Sequence, residues 1–281
     1  MKGYALFMFY HLYEMNHAAL QPFRAVADAA KLFYSNPLNP LSHSSFGRSM
    51  AASAELFERM TRRYSKPPFG LPETVVDGQA VRVTEEVVWS KPFCDLLHFK
   101  RDLPKGRKED SKLLIVAPMS GHYATLLRNT VISLLPDCDV YVTDWHNARD
   151  IPVSAGKFDV EDYTLYLVDF MRHLGPDINV VAVCQPAPLT LAATAYLAEE
   201  DPAAQPRTMT LIGGPIDPDA APTEVTDFGR RLTMGQLEHL AIQRVGFKYR
   251  GAGRLVYPGL LQLASFISII VGRLCGSALI A

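Results

Sequence analysis

The sequence predicts an α/β fold: a doubly wound, mostly parallel sheet with an N-terminal helical preface. Three observations carry that expectation. Residues 112–117, 138–144, 178–183 and 207–212 are short runs rich in β-branched and other apolar residues, the composition of strands buried on both faces. Between them, residues 123–135, 160–174 and 189–200 carry apolar side chains at helical spacing. The two kinds of segment alternate, which is how a parallel sheet is wound, and in such sheets function gathers where the strands end.

In chain order, the preface (1–70) comes first. Leu12, Met15, Ala19, Leu20, Phe23, Val26 and Ala27 recur at i, i+3 and i+4 until Ser35-Asn36-Pro37 breaks the pattern. A second helical run, 46–64, stops at Lys66-Pro67-Pro68-Phe69-Gly70. The aromatic residues Phe7, Phe9, Tyr10, Tyr13, Phe33 and Tyr34 suit either docking on the main domain or contact with an apolar partner. The core is expected over 71–220. It opens with alternation over 74–99 and a turn at Asp77-Gly78, read as two antiparallel edge strands, followed by a charged loop over 100–110. Residues 221–281 read as the start of an incomplete cap and an apolar tail. Gln262, Arg273 and the tail's serines interrupt 260–281, so a buried or cap helix is a simpler account than a membrane span.

Composition narrows the function classes. The chain has 281 residues, 48% of them apolar and 20% charged, enough for one α/β domain with a sizeable core. A net charge of -1 and the lack of any Lys/Arg run argue against nucleic acid as partner. Cys94, Cys138, Cys184 and Cys275 form no C-x-x-C pair and no zinc spacing, so neither a metal nor a disulfide framework is expected and a reducing compartment suits the chain. The apolar patch Tyr4 to Tyr10 runs at once into His11, Glu14, Asn16 and His17, unlike an export signal.

The stretch Ile178 to Pro188 concentrates the chemistry. A buried strand ends at Cys184, and a helix follows in which prolines 186 and 188 are tolerated because a first turn needs no amide donors. Such a strand-to-helix turn is the geometry of a nucleophile elbow. There a thiolate is favoured by the helix dipole, and the N–H of Gln185 is placed to receive an oxyanion. Ala182 and Pro186 stand where G-x-S-x-G would have glycines, so the match holds in shape and not in letters. The competing reading is a buried cysteine at a strand end.

Four loops, in order, carry a resemblance. Ala117-Pro-Met-Ser-Gly-His-Tyr-Ala-Thr-Leu-Leu-Arg-Asn-Thr130, Tyr141-Val-Thr-Asp-Trp-His-Asn-Ala-Arg-Asp-Ile-Pro152, Val183-Cys-Gln-Pro186 and Ile212-Gly-Gly-Pro-Ile-Asp217 resemble the intracellular polyhydroxybutyrate depolymerases, α/β-hydrolase-fold enzymes with a cysteine nucleophile. The resemblance implies a Cys-Asp-His triad that hydrolyses the ester bonds of a stored polyester without a cofactor. It further implies a cytoplasmic setting at storage granules, with the granule surface and small hydroxyacid oligomers as partners. Cys184 matches the nucleophile. Ser120 stands where α/β hydrolases contribute a second oxyanion N–H, with Met119 as the neighbouring alternative. His122, Asp144 and Trp145 fall at the rim of the site, although His122 equally suits anchoring of its loop and Trp145 packing.

The family's acid and histidine lie in a C-terminal third that the chain is expected to lack, and the tail from Val271 to Ala281 is expected to match nothing. Asp217 and His239 follow Cys184 in triad order, but Asp217 before Pro218 reads as a turn residue and His239 as a half-exposed helix residue. Two rival functions remain: a polyester synthase-like acyltransferase, which usually keeps G-x-C-x-G, and a non-catalytic granule-surface protein.

Overall fold

The computed structural model describes residues 12, 15–63, 65–104, 106–107, 109–119, 123–259 and 261–262. They form two compact units, Met1–Lys66 and Pro67–Ala281.

The first unit is a helical hairpin of α1 (Gln21–Ser35) and α2 (Ser45–Thr61). A proline in the first turn of α1 lacks an N–H that the helix would not use, and the Ser44 side chain caps α2 by accepting from Gly47 N–H. The helices run antiparallel: Arg24 donates to Thr61 O near one end of the pair, Lys31 meets Glu55, and Tyr34 packs edge-on against Phe46 at the other end. The aromatic positions Phe7, Phe9, Tyr10 and Tyr13 lie outside the described residues.

The second unit is built on a seven-stranded sheet. Its strands are β1 (Glu73–Val76), β2 (Gln79–Lys91), β3 (Cys94–Arg101), β4 (Lys112–Val116), β5 (Asp139–Trp145), β6 (Asn179–Val183) and β7 (Thr208–Ile212). They lie in the order β1-β2-β3-β5-β4-β6-β7. β5, β4, β6 and β7 pair in parallel, while β1, β2 and β3 add an antiparallel meander at one edge. This is the mostly parallel, α/β-hydrolase-like arrangement expected from the sequence.

The edge departs from expectation in having three strands rather than two. Asp77 and Gly78 both take positive φ, 51° and 79°, which suits a two-residue hairpin turn, and Pro92-Phe93 makes a second one. A single strand runs over 79–91 with a register shift between Val87 and Trp89 before that proline, and the pattern of apolar residues did not mark where it stopped and the next began.

Period-2 geometry then sorts the core into two layers. Leu114 and Val116 face one side, where they pack with Tyr163, Leu167, Phe170 and Met171 of α4 (Val160–Leu174) and Ala193 and Leu197 of α5 (Ala187–Glu200). Leu113 and Ile115 face the other, against Leu127, Val131 and Leu135 around α3 (Arg128–Leu134). Each fully buried Leu or Ile contributes about 1.5–3 kcal/mol, so strands covered on both sides hold the sheet centre. α4 starts with a reciprocal capping box between Asp159 and Asp162 and ends at Gly175, with acidic residues in its first turn and basic ones in its last. Two short helices, α6 (Glu224–Arg230) and α7 (Met234–Ala241), follow the sheet, then the small pair β8 (Gln243–Arg244) and β9 (Leu255–Val256).

The segment carrying β8 and β9 is fastened to the loop that follows β5. Arg254 donates to the carbonyls of Ile151, Gly156 and Pro152 and lies 5.0 Å from the Phe93 ring centroid. Gly251 N–H donates to Arg149 O at 2.8 Å. A Cβ at position 251 would lie 2.6 Å from that same oxygen, so only glycine allows the approach. A segment about a hundred residues downstream is thereby held to the carboxyl edge of the sheet.

Candidate active site

Because β5, β4, β6 and β7 are parallel, their C-terminal loops share one edge of the sheet. There Cys184 follows β6 directly and precedes α5, with φ at 67°. A non-glycine residue in the left-handed region is strained, and it is what a sharp strand-to-helix turn demands of the residue at its apex. The turn is tightly built: Cys184 N–H donates to Ile212 O of β7 at 2.7 Å, and Ala187 N–H closes back on Cys184 O at 3.1 Å. Cys184 is exposed, whereas Cys94 is buried and Cys138 half-buried. Burial, reinforced by the Asp137 charge, pushes the Cys138 thiol above its ordinary range.

The absence of flanking glycines at positions 182 and 186 is resolved elsewhere. A Cβ on Gly214 would come within 2.1 Å of Ala187 Cβ and 2.7 Å of Cys184 O, so the space under the elbow is left by Gly214 on the loop after β7. Sequence reasoning singled out the turn 213–217 without giving this glycine a role. The signal was present in the Gly213-Gly214 pair just past β7, which the structure places at the half-exposed edge of the sheet rather than buried on both faces.

The loop after β4 approaches the same turn. Its root is fixed, because Ala117 N–H donates to Thr143 Oγ1 and Ala117 O accepts from Trp145 Nε1, each at 2.9 Å. Met119 N–H then donates to the side-chain Oε1 of Gln185 at 3.1 Å. Of the two alternatives for a second oxyanion donor, Met119 thus faces the elbow residue, while Ser120 lies outside the described residues, as does His122.

Asp144 sits deeper than the rim reading placed it, and Trp145 takes the packing role that was its alternative. Asp144 is 5% and Trp145 7% exposed, and Trp145 stacks on Tyr163 with ring centroids 4.1 Å apart. A large ring on an inward-facing strand position is drawn into the core, and its one polar atom is satisfied there by Ala117. Its neighbour His146 holds Asp95 through Nε2 at 2.9 Å and Pro92 O through Nδ1 at 3.1 Å, and Asp95 also accepts from Ser90.

Asp217 and His239 each have local surroundings of their own. The Asp217 carboxylate accepts from the N–H groups of Asp219 and Ala220, the role of a turn residue. His239 lines an open pocket with Leu232, Thr233, Gly235 and Gln236 around α7. Among the described residues, no group of three or more His, Cys, Asp or Glu side chains is placed to hold a metal ion, and no helix is long and apolar enough to cross a membrane.

Residues 213–278 match the family model described as PHB de-polymerase C-terminus. The matched stretch begins within the fourth of the resembling loops and leaves the other three outside it, so the same family is met on largely different residues. It also reaches through most of the tail, correcting the expectation that residues from 271 onward match nothing. No curated protein matches the chain.

Among solved structures, a naproxen esterase from Bacillus subtilis aligns at 13% identity and TM-score 0.32, over 46% of this chain and 42% of its own. DphMB1 aligns at 17% identity and TM-score 0.36, over 56% and 52%. The Francisella virulence factor BioJ aligns at 14% identity and TM-score 0.36, over 75% and 67%. The chain thus spans about half the length of the first two. The fold assignment rests on the strand order and the elbow.

Proposed function

We propose that this chain, a relative of the polyhydroxybutyrate depolymerases, cleaves the ester bonds of a 3-hydroxybutyrate storage polyester through Cys184. The single observation that supports this most is the exposed Cys184 held at φ 67° between a buried parallel strand and a helix N-terminus. The match of residues 213–278 to the PHB de-polymerase C-terminus family supports the substrate class.

In this reading the Cys184 thiolate forms a bond to the ester carbonyl carbon, and the carbonyl electron pair moves onto oxygen. The backbone N–H of Gln185 and a donor from the loop after β4 receive that oxyanion. Collapse breaks the bond to the alkoxy oxygen, which takes a proton from water as it leaves, and a 3-hydroxyacyl thioester remains on Cys184. Water then attacks the thioester and releases a hydroxyacid unit, two easier steps in place of one hard one. This reading assigns the proton-taking role to neither His239, which lines a pocket on its own helix, nor His146, whose two ring nitrogens already hold Asp95 and Pro92. The granule surface and short hydroxyacid oligomers are the partners of this chemistry.

The test exposes the protein to p-nitrophenyl butyrate and, separately, to amorphous polyester granules. The expected result is an acyl adduct located by mass spectrometry on Cys184, absent in Cys184→Ala, while both proteins sediment with granules. Granule binding without any acyl adduct in the wild type would mark a non-catalytic surface protein. An adduct that persists in Cys184→Ala would remove the nucleophile.

A further inference from the structure

We infer that the side chain of Gln185 is a positioning residue, which aims the loop after β4 by accepting the Met119 N–H. This deepens the reading of Cys184 as nucleophile and rests on it. The bond is 3.1 Å long and joins residues 66 positions apart in sequence.

The architecture of the loop explains why such a contact has consequences. Ala117 is immobilised by Thr143 and Trp145, so the root of the loop is set by the core. Pro118 has no N–H to offer, and Met119 carries the first free-standing amide beyond that root. Met119 is 38% exposed. What fixes the direction of its N–H is the amide oxygen reaching across from the residue after Cys184.

That residue is also the one whose own N–H follows the nucleophile, so a single side chain ties the second donor to the first. A neutral amide oxygen suits this role. It holds the N–H while the site is empty, yet an oxyanion forms a charge-assisted bond roughly twice as strong and takes the donor over as charge develops. The contact is not needed to join the two strands. Leu113↔Asn179 through Val116↔Ala182 already pair β4 with β6, with Leu114, Ile115, Val116, Val180 and Ala182 wholly buried.

Two reactions of the same thiol separate aiming from folding. In acylation by p-nitrophenyl butyrate, sulfur bonds to the carbonyl carbon, an oxyanion forms, and its collapse expels p-nitrophenolate. In alkylation by iodoacetamide, sulfur displaces iodide from a saturated carbon and no oxyanion arises. Gln185→Met keeps the length of the side chain and loses the acceptor; Gln185→Ala removes both.

Both variants are expected to acylate about tenfold more slowly or worse, short of the 10²–10³ lost when a donor is deleted outright. Their iodoacetamide rate and thermal midpoint should stay at the wild-type values. Acylation at the wild-type rate or faster in Gln185→Met overturns the inference. So does a parallel fall in acylation and alkylation, which would make the contact a support of the elbow itself. Failure of the parent reading looks different: Cys184→Ala would then acylate as fast as the wild type.

Discussion

At the scale of single residues, the three described cysteines are chemically distinct because of where the chain puts them. Cys94 is wholly buried in the core beside Leu96 and Tyr163, and the Cys138 thiol is held above its ordinary range by burial and the Asp137 charge. Cys184 is exposed, on the turn that leads into α5. Brief treatment with iodoacetamide at neutral pH should therefore modify Cys184 well before Cys94 or Cys138, as peptide mapping will read out. Earlier labelling of Cys138 would show that exposure does not control reactivity here. The sequence carried Cys184 and Gln185 to the right turn because strand and helix patterns meet there. For Trp145 it offered both the rim and packing, because an aromatic residue at a strand end reads the same whether its face meets solvent or the core, and the stack on Tyr163 decides for packing.

At the scale of elements, the parallel strands and the helices over 160–174 and 187–200 were legible to within a residue or two, because apolar patterning follows packing on the sheet, whereas the helix expected over 123–135 opens as a 3-10 turn over Ala124–Leu127 and becomes α3 only at Arg128. The edge meander was less so: β1 and β2 alternate like any amphipathic strand, and only the proline at 92 marks the second turn. Least legible was how the elbow is accommodated. Gly213 and Gly214 are adjacent but are glycines for different reasons. Gly213 has φ at 61° with open space where a Cβ would go, while Gly214 would drive a Cβ into Ala187 and the Cys184 carbonyl. Gly213→Ala should cost about 1–2 kcal/mol for the left-handed backbone and leave Cys184 chemistry intact. Gly214→Ala should cost about 1–3 kcal/mol by overpacking and also depress acylation of Cys184, because the atoms displaced are those of the elbow. Urea unfolding and the p-nitrophenolate burst read the two effects separately; equal bursts in both variants would refute the assignment of Gly214.

At the scale of the whole molecule, the antiparallel meander is joined to the parallel half along the pairing of β3 with β5, and charged clusters sit at both ends of that joint. At one end His146 and Asp95 pair across it. At the other, His98 on β3 lies 2.7 Å from Asp139 and 3.3 Å from Glu86, its ring stacked 4.3 Å from that of Tyr141, whose hydroxyl donates to Asp139 at 3.1 Å. Burial alone would raise the Asp139 carboxyl, but the hydrogen bond and charge of His98, with smaller help from Tyr141 and Arg101, hold it below the usual carboxylate range. A carboxyl whose value is lowered by folding stabilises the fold above its unfolded value, about pH 4, and that contribution is lost as pH falls through the lower folded value. In His98→Ala the burial effect is left opposed only by the smaller partners, so the carboxylate becomes costly at neutral pH and protonating it is no longer a loss. The variant should be less stable than the wild type by about 1–3 kcal/mol at neutral pH. The gap should close as the pH is taken below about 4, where the wild type gives up the same contribution. Urea midpoints measured across that range decide it, since a gap that stays constant with pH would mean that His98 acts by packing on Tyr141 and not through the carboxylate.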